Sequence, residues 1–400
     1  MIFTNARVAT LAGPNRPRLR SEMSELSIID SGSVVVESGR FVAPSTGQLD
    51  GDVVDLGGRL VLPGFVDAHT HLVFGGNRAA EFERRCAGAT YEEIAKAGGG
   101  IRSTVAATNA CSDQDLQEVG QKHARWMLAS GTTTAEAKSG YGLSTGCELA
   151  TLRAIRAVGE STPLRTVPTF LGLHALPAGH EGTDEFVDWV IANTLPSAAE
   201  LAQFADAFLE AGYFNDDQVR RFAAAARGLG LDLRLHVDQL TNGGGAVLAA
   251  DLMAKTADHL EQTDAQGIAA LARAGVQPVL LPASVHCLGK TKYPEARAMI
   301  ASGLAVVLAT DFNPGSSPTP SLPFVMNLAC TQMGMSPAEA IVASTINAAY
   351  SLNLGAEVGS IEPGKVADFV VFDLEDPREV PYWVGAPVIH SVYCGGVRVA

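Results

Sequence analysis

The sequence predicts an α/β fold: a (β/α)8 TIM barrel with a small composite β-sandwich domain built from both chain ends. Three observations carry this expectation. Eight short strand-like runs alternate with helical runs through the middle of the chain. Short alternating segments broken by Gly, Ser and Asp occupy both ends instead. Histidines or an aspartate stand at the carboxyl ends of several of the eight runs, where barrel sites lie. The predicted division is 1–62 with 355–400 for the sandwich and 63–354 for the barrel.

Taken in order, the amino-terminal β segments are 1–11, 26–29, 33–36, 40–42 and 53–56. The eight barrel strands are expected at 60–67, 132–138, 164–171, 205–209, 232–237, 256–260, 276–281 and 305–310. Helices with apolar residues at helical spacing and polar or capping starts are expected at 146–158, 216–227 and 263–274. Between strands 1 and 2 lies a long stretch, 72–131. It holds a charged helix-like run at 78–85, three glycines at 98–100 and a helix near 113–129. A connection of that length on the catalytic face is expected to serve function. The segments 367–372 and 388–399 complete the sandwich, and Gly243-Gly244-Gly245 reads as a strand-to-helix turn, since it lacks the Lys and Ser/Thr of a phosphate loop.

Composition narrows the class. Of 400 residues, 47% are hydrophobic, enough for a large core. Asp plus Glu number 43 against 29 Lys plus Arg, a net charge of -14 that repels phosphate backbones, so no nucleic-acid partner is expected. The first residues lack the pattern of a signal peptide, and no apolar run approaches the roughly 20 residues of a membrane span. Six scattered cysteines form no Cys-x-x-Cys pair and read as reduced thiols of a cytoplasmic protein.

Chemistry concentrates first at Val61-Leu62-Pro63-Gly64-Phe65-Val66-Asp67-Ala68-His69-Thr70-His71. Side chains alternate on a strand, so His69 and His71 point the same way about 7 Å apart, and two neutral imidazoles can converge on one metal ion. The bland reading is a pair of hydrogen-bonded loop histidines. Other strand ends decide between them: His236 ends strand 5, His259 ends strand 6 and Asp311 ends strand 8. Three imidazoles and a carboxylate suit one zinc or iron ion with a position left for water. Asp311 can ligate and also take a proton from that water. His259 is expected behind the ligands, orienting water and intermediate, with a satisfied core histidine as the plain alternative. His123 is expected on a solvated helix face; His286 follows strand 7 on the catalytic face and reads as a residue without a role, with pocket lining as the alternative; His180 and His390 carry no expected role.

These residues resemble the amidohydrolase superfamily and, within it, the imidazolonepropionase family. The resemblance rests on Asp67-Ala68-His69-Thr70-His71-Leu72-Val73-Phe74-Gly75-Gly76-Asn77-Arg78, on Glu136-Ala137-Lys138-Ser139-Gly140-Tyr141-Gly142-Leu143 and on Thr310-Asp311-Phe312-Asn313-Pro314-Gly315-Ser316. It implies hydrolytic ring opening of 4-imidazolone-5-propanoate to N-formimidoyl-L-glutamate, in histidine breakdown, and a homodimer. It implies that His69, His71, His236 and Asp311 hold the metal and that Arg78, Tyr141, His174 and Gln239 contact substrate. Asn313, Gly315 and Ser316 match positions that hold the glutamate-like product. A guanidinium can grip a propionate carboxylate bidentately. Without the resemblance, Arg78 would read as a surface charge and Tyr141 as a loop anchor.

Gln239 stands where many members carry Glu, which shifts proton work onto Asp311 and His259 and separates the chain from deaminases that use the Glu. Two-metal members place a carbamylated lysine on strand 4. Ala205-Asp206-Ala207-Phe208-Leu209-Glu210 has no lysine, which implies a single ion. The rival readings are another mononuclear amidohydrolase, such as a deaminase or a different cyclic amidase, and a non-catalytic binding protein on the same barrel.

Overall fold

The computed structural model describes residues 1–43, 51–89, 93 and 98–400. The chain begins with β1 (Ile2–Ala9), β2 (Ile28–Glu37), β3 (Arg40–Val42), β4 (Val53–Asp55) and β5 (Leu60–Pro63). The next eight strands are β6 (Phe65–Asp67), β7 (Thr132–Lys138), β8 (Arg165–Leu173), β9 (Phe204–Leu209), β10 (Asp232–Val237), β11 (Thr256–His259), β12 (Gln277–Leu280) and β13 (Val307–Leu308). Three more follow: β14 (Phe369–Phe372), β15 (Ile389–Cys394) and β16 (Val397–Arg398).

β6 to β13 form one eight-stranded sheet in sequence order, and every pairing in it is parallel. Helices lie between its strands, and the expected ones are present as Thr145–Ser161, Asp216–Gly228 and Ala265–Ala274. Asn215 and Asp264 cap the last two, each accepting a hydrogen bond from a backbone N–H three residues on. The first and last barrel strands share no ladder. They are joined beyond their ends, where Asp311 N donates to His69 O at 3.0 Å and His71 N donates to Phe312 O at 2.9 Å. At the opposite end of this seam, Val66 N donates to Ser344 O at 2.9 Å. The barrel therefore closes at the ligand-bearing residues themselves.

The remaining strands make a second sheet in the order β16-β15-β14-β5-β1-β2-β3, with β4 beside β1. In a flat sheet β3 and β14 would stand about 19 Å apart, four strand spacings. Phe41 on β3 and Phe369 on β14 have ring centroids only 6.2 Å apart. The sheet therefore curls until its halves face each other around Phe3, Phe369 and Tyr393, which stack or meet edge to face. One continuous curled sheet does the work of the expected sandwich.

The run 60–67 is not one strand. β5 pairs with β1 and β14, whereas β6 pairs with β7, so the chain changes sheets at Gly64. A Cβ there would stand 2.2 Å from Thr133 Oγ1, which explains a glycine at the crossing. The long connection 72–131 contains the helices Ala79–Cys86, Ile101–Asn109 and Asp113–Ala129; residues 90–92 and 94–97 within it lie outside the described residues.

His123 corrects an expectation. It is buried rather than solvated, with Nδ1 2.8 Å from Leu72 O and its ring against Phe74 and Phe312. It sits on the inward face of the helix Asp113–Ala129, where it supports the chain just beyond His71. His286 is exposed and touches Phe324, apart from the cavity described below. No described helix is long and apolar enough to cross a membrane.

Gly64→Ala should destabilise the fold by about 1–3 kcal/mol, the usual range for overpacking a filled site. Urea unfolding measures this; an unchanged midpoint would mean that the crossing has room the structure does not show.

Candidate functional site

The seam puts residues from both ends of the barrel side by side. Asp67 accepts from Thr310 N at 3.0 Å and from Thr310 Oγ1 at 2.6 Å, which fixes Asp311 opposite the His-x-His pair. Burial pushes the Asp67 carboxyl up to about 7. Asp311 Oδ1 lies 3.6 Å from His69 Nε2 and 3.7 Å from His71 Nε2. Those separations exceed a good hydrogen bond but leave room for an ion with ligand bonds of about 2.0–2.2 Å. A second group of ligand atoms, from His69, His236 and His259, converges at the same place.

The donor set fits a metal on a further count. His69 is fully buried, and its Nε2 has no hydrogen-bond partner among the described residues. Its Nδ1 lies 2.6 Å from Asp258 Oδ2, so the proton sits on Nδ1 and the Nε2 lone pair faces the cluster. Burial pushes both His69 and His71 well below the ordinary histidine range, toward the neutral form that binds metal. His236 Nδ1 lies 3.0 Å from Asp206 Oδ2, an ion-pair distance without hydrogen-bond alignment.

Beneath the cluster is a charged layer that motif reading passed over. Lys138 Nζ donates to Glu136 Oε1 and Asp206 Oδ2, each at 2.8 Å, and stands 3.7 Å from Asp258 Oδ2. Arg234 donates to Ala68 O at 2.7 Å and Ser351 O at 3.0 Å, within 3.6 Å of Asp258. All five side chains are fully buried. Burial opposes the charge on Lys138, yet Asp206 and Glu136 hold its pKa above the ordinary value. Burial alone would raise Asp206, but His236 and Lys138 hold it well below the carboxylate range. A signal existed: charged residues at core positions of strands, such as the alternate Glu136 and Lys138, need partners.

His259 stands on a bent strand end. Both His259 and Leu260 have left-handed backbone, φ +80° and +70°, which for such residues costs about 1–3 kcal/mol each. Glu261 Oε1 lies 3.2 Å from His259 Nδ1. Burial works against a charge on His259, but Glu261 raises its pKa above the ordinary value.

The substrate side is a cavity of about 550 Å³ bordered by Arg78, Tyr141, His174, Gln239, Asn313, Gly315 and Ser316, all singled out from sequence. It opens onto an inner recess bordered by His71, His236, His259 and Asp311. The Arg78 guanidinium is held by Thr104 Oγ1 at 2.8 Å and lies so close over Gly315 that a Cβ there would be 2.3 Å from its Nη1. Gly315 is thus the floor on which Arg78 rests. Tyr141 is buried in a loop held by Glu148, which accepts from Gly140 N, Gly142 N and Leu143 N at 2.7–2.8 Å. His174 Nδ1 donates to Gly140 O at 2.8 Å, and burial lowers its pKa to about 3. His174 is therefore neutral, with Nε2 as an acceptor. Asn313 accepts from Gly315 N and Ser316 N at 2.8 Å and donates to Asp311 O at 2.6 Å, so its amide organises the loop.

Residues 60–399 match the amidohydrolase family model. The imidazolonepropionase of Solibacter usitatus is 53% identical, with 98% of this chain and 96% of that protein covered. That of Rubrobacter xylanophilus is 47% identical, covering 96% and 94%. The chain belongs to the imidazolonepropionase family of amidohydrolases. Among solved structures, a 5-methylcytosine deaminase from Klebsiella pneumoniae superposes with TM-score 0.73 at 16% identity, covering 100% of this chain and 97% of that one. At that identity the likeness is one of fold. The enzyme is a hydrolase of this family.

Asp258→Asn should weaken metal affinity about 10–100-fold, the usual effect of losing a carboxylate behind a ligating histidine. Zinc titration against a chromophoric chelator, with circular dichroism as the control for folding, checks this. Unchanged affinity would mean that packing alone orients His69.

Proposed function

We propose that the chain opens the ring of 4-imidazolone-5-propanoate with water, giving N-formimidoyl-L-glutamate. The observation that carries this reading is the cavity with Arg78 on its wall, opening onto the recess that His71, His236 and Asp311 border, with His69 buried behind them. One end suits a carboxylate and the other a carbonyl under attack.

His69, His71, His236 and Asp311 would hold one metal ion, zinc or iron, and the nitrogen-rich donor set suits either. Such an ion supplies a water acidified from a pKa of about 15.7 toward about 7 and a Lewis acid for the carbonyl. The protein does the rest. Arg78 grips the propionate carboxylate, and Tyr141 and neutral His174 hold the ring, the imidazole accepting a proton-bearing group. Gln239 orients the ring without taking a proton, since an amide is no base. Asp311 accepts the proton of the attacking water. His259, whose protonated form Glu261 favours, steadies the oxygen on which negative charge develops. The ring C–N bond breaks, leaving a carboxylate on carbon and a proton on nitrogen.

Asn313 and Ser316 shape the wall against which the product's carboxylates rest, and Gly315 keeps the guanidinium in reach. Six free cysteines suit a reducing cytoplasm, and a homodimer is the assembly the family implies.

Purified protein should consume the imidazolone, followed by its ultraviolet absorbance, and chelator should abolish the activity until metal is restored. No chelator-sensitive turnover would sink the assignment. Metal analysis of the protein as purified separates zinc from iron. Arg78→Ala should raise KM about 10–100-fold, the value of a charged hydrogen-bonded contact, with metal content intact. Equal loss of metal would make Arg78 a structural residue instead.

A further inference from the structure

Behind His259 lies a second, smaller recess of about 30 Å³, bordered by Glu261, Ser284 and Gln239 among others. Two of these present buried atoms without a partner among the described residues: Glu261 Oε2 and Ser284 Oγ. Both residues are almost wholly buried, at 4% and 1% exposure. Leaving a carboxylate oxygen and a hydroxyl unmatched inside a protein is unfavourable, and native structures avoid it. A recess needs roughly 10–15 Å³ by this measure to seat one water, and that water needs two to four polar partners. This one has the volume, and it has Glu261, Ser284 and the Gln239 amide around it.

The backbone is bent to make the arrangement. In an extended strand, residues 259 and 261 would project side by side about 7 Å apart. Left-handed φ at His259 and Leu260 turns the chain so that Glu261 Oε1 comes within 3.2 Å of His259 Nδ1. The bend is fixed by Leu260 N to Val237 O at 3.2 Å, Gln262 N to Asp238 O at 2.8 Å and Thr263 Oγ1 to Asp238 Oδ2 at 2.8 Å. With Nδ1 donated to Glu261, Nε2 is the nitrogen His259 has left for the reacting side.

We propose that Glu261 is a positioning residue for His259, and that the recess it shares with Ser284 is the seat of one ordered water linking this pair to Gln239. The inference rests on the hydrolase reading for its kinetic consequence, and on geometry alone for the water. Glu261 fixes the ring orientation of His259 by accepting from its Nδ1–H. The water fixes Glu261 in turn and ties it to Gln239, which with Leu288 and Lys290 borders both the recess and the substrate cavity.

Two measurements test this on the metal-loaded enzyme. Crystallography at a resolution that shows ordered solvent should find a water within hydrogen-bond distance of Glu261 Oε2 and Ser284 Oγ; an empty recess overturns the water site. In kinetics, Glu261→Ala should lower kcat about 10–100-fold with KM and metal content little changed. Formate should restore part of that loss, because it returns an acceptor to Nδ1. Glu261→Gln keeps an accepting oxygen in place and should stay much nearer wild type. Full activity in Glu261→Ala, or a Gln variant as impaired as the Ala variant, overturns the positioning role. The density test stands whether or not the wild-type chain hydrolyses the imidazolone, so the two readings fail separately.

Discussion

Everything in the site depends on how the barrel closes. The first and last strands do not pair along their length; they meet past their ends, through Asp311 N to His69 O and His71 N to Phe312 O. Each of these hydrogen bonds is made by the backbone of a predicted ligand. Barrel closure and the grouping of these histidines with Asp311 thus rest on the same contacts. The Asp67–Thr310 contact locks the same seam from the side-chain direction, tying the strand that carries two histidines to the strand that carries the aspartate.

A cluster of neutral imidazoles needs something to keep it neutral and aimed. Burial supplies the first requirement at His69 and His71. Asp258 and Asp206 supply the second, each behind one histidine, and Lys138 and Arg234 offset the charges of these acids within the same buried layer. Removing one member of such a layer leaves another uncompensated, which is why buried ion networks resist piecemeal change. On the other side of the cluster the logic reverses. Arg78, Tyr141 and His174 are held by neighbours, namely Thr104, the Glu148-anchored loop and Gly140, in poses that leave functional atoms turned to the cavity.

Much of this was legible beforehand. The helices at 146–158 and 216–227, an eight-stranded parallel barrel and the placement of His236, His259 and Asp311 at or just past its strand ends follow from local periodicity, and the structure contains them. What failed did so for tertiary reasons. His123 reads as a solvated residue because its helix carries mixed charge, yet its own face packs on the chain beyond His71. The run 60–67 reads as one strand because both halves are apolar, yet they belong to different sheets. In the sequence, Asp206 stands out only as part of a strand without a lysine. Its value as the carboxylate behind His236 appears once β9 and β10 stand in register.

By itself, the sequence determined which donor atoms are present and that they sit at strand ends, because alternation along a strand and the chemistry of imidazole and carboxylate are local properties. Resemblance to a family added the substrate. Only the tertiary structure decided which nitrogen of His69 is free, which groups balance Lys138, why residue 315 is glycine and what stands behind His259. Those answers depend on contacts between residues far apart in the chain: His69 meets Asp258 across 189 positions, and Thr310 meets Asp67 across 243. No local pattern encodes such a pairing; the register and closure of the barrel do.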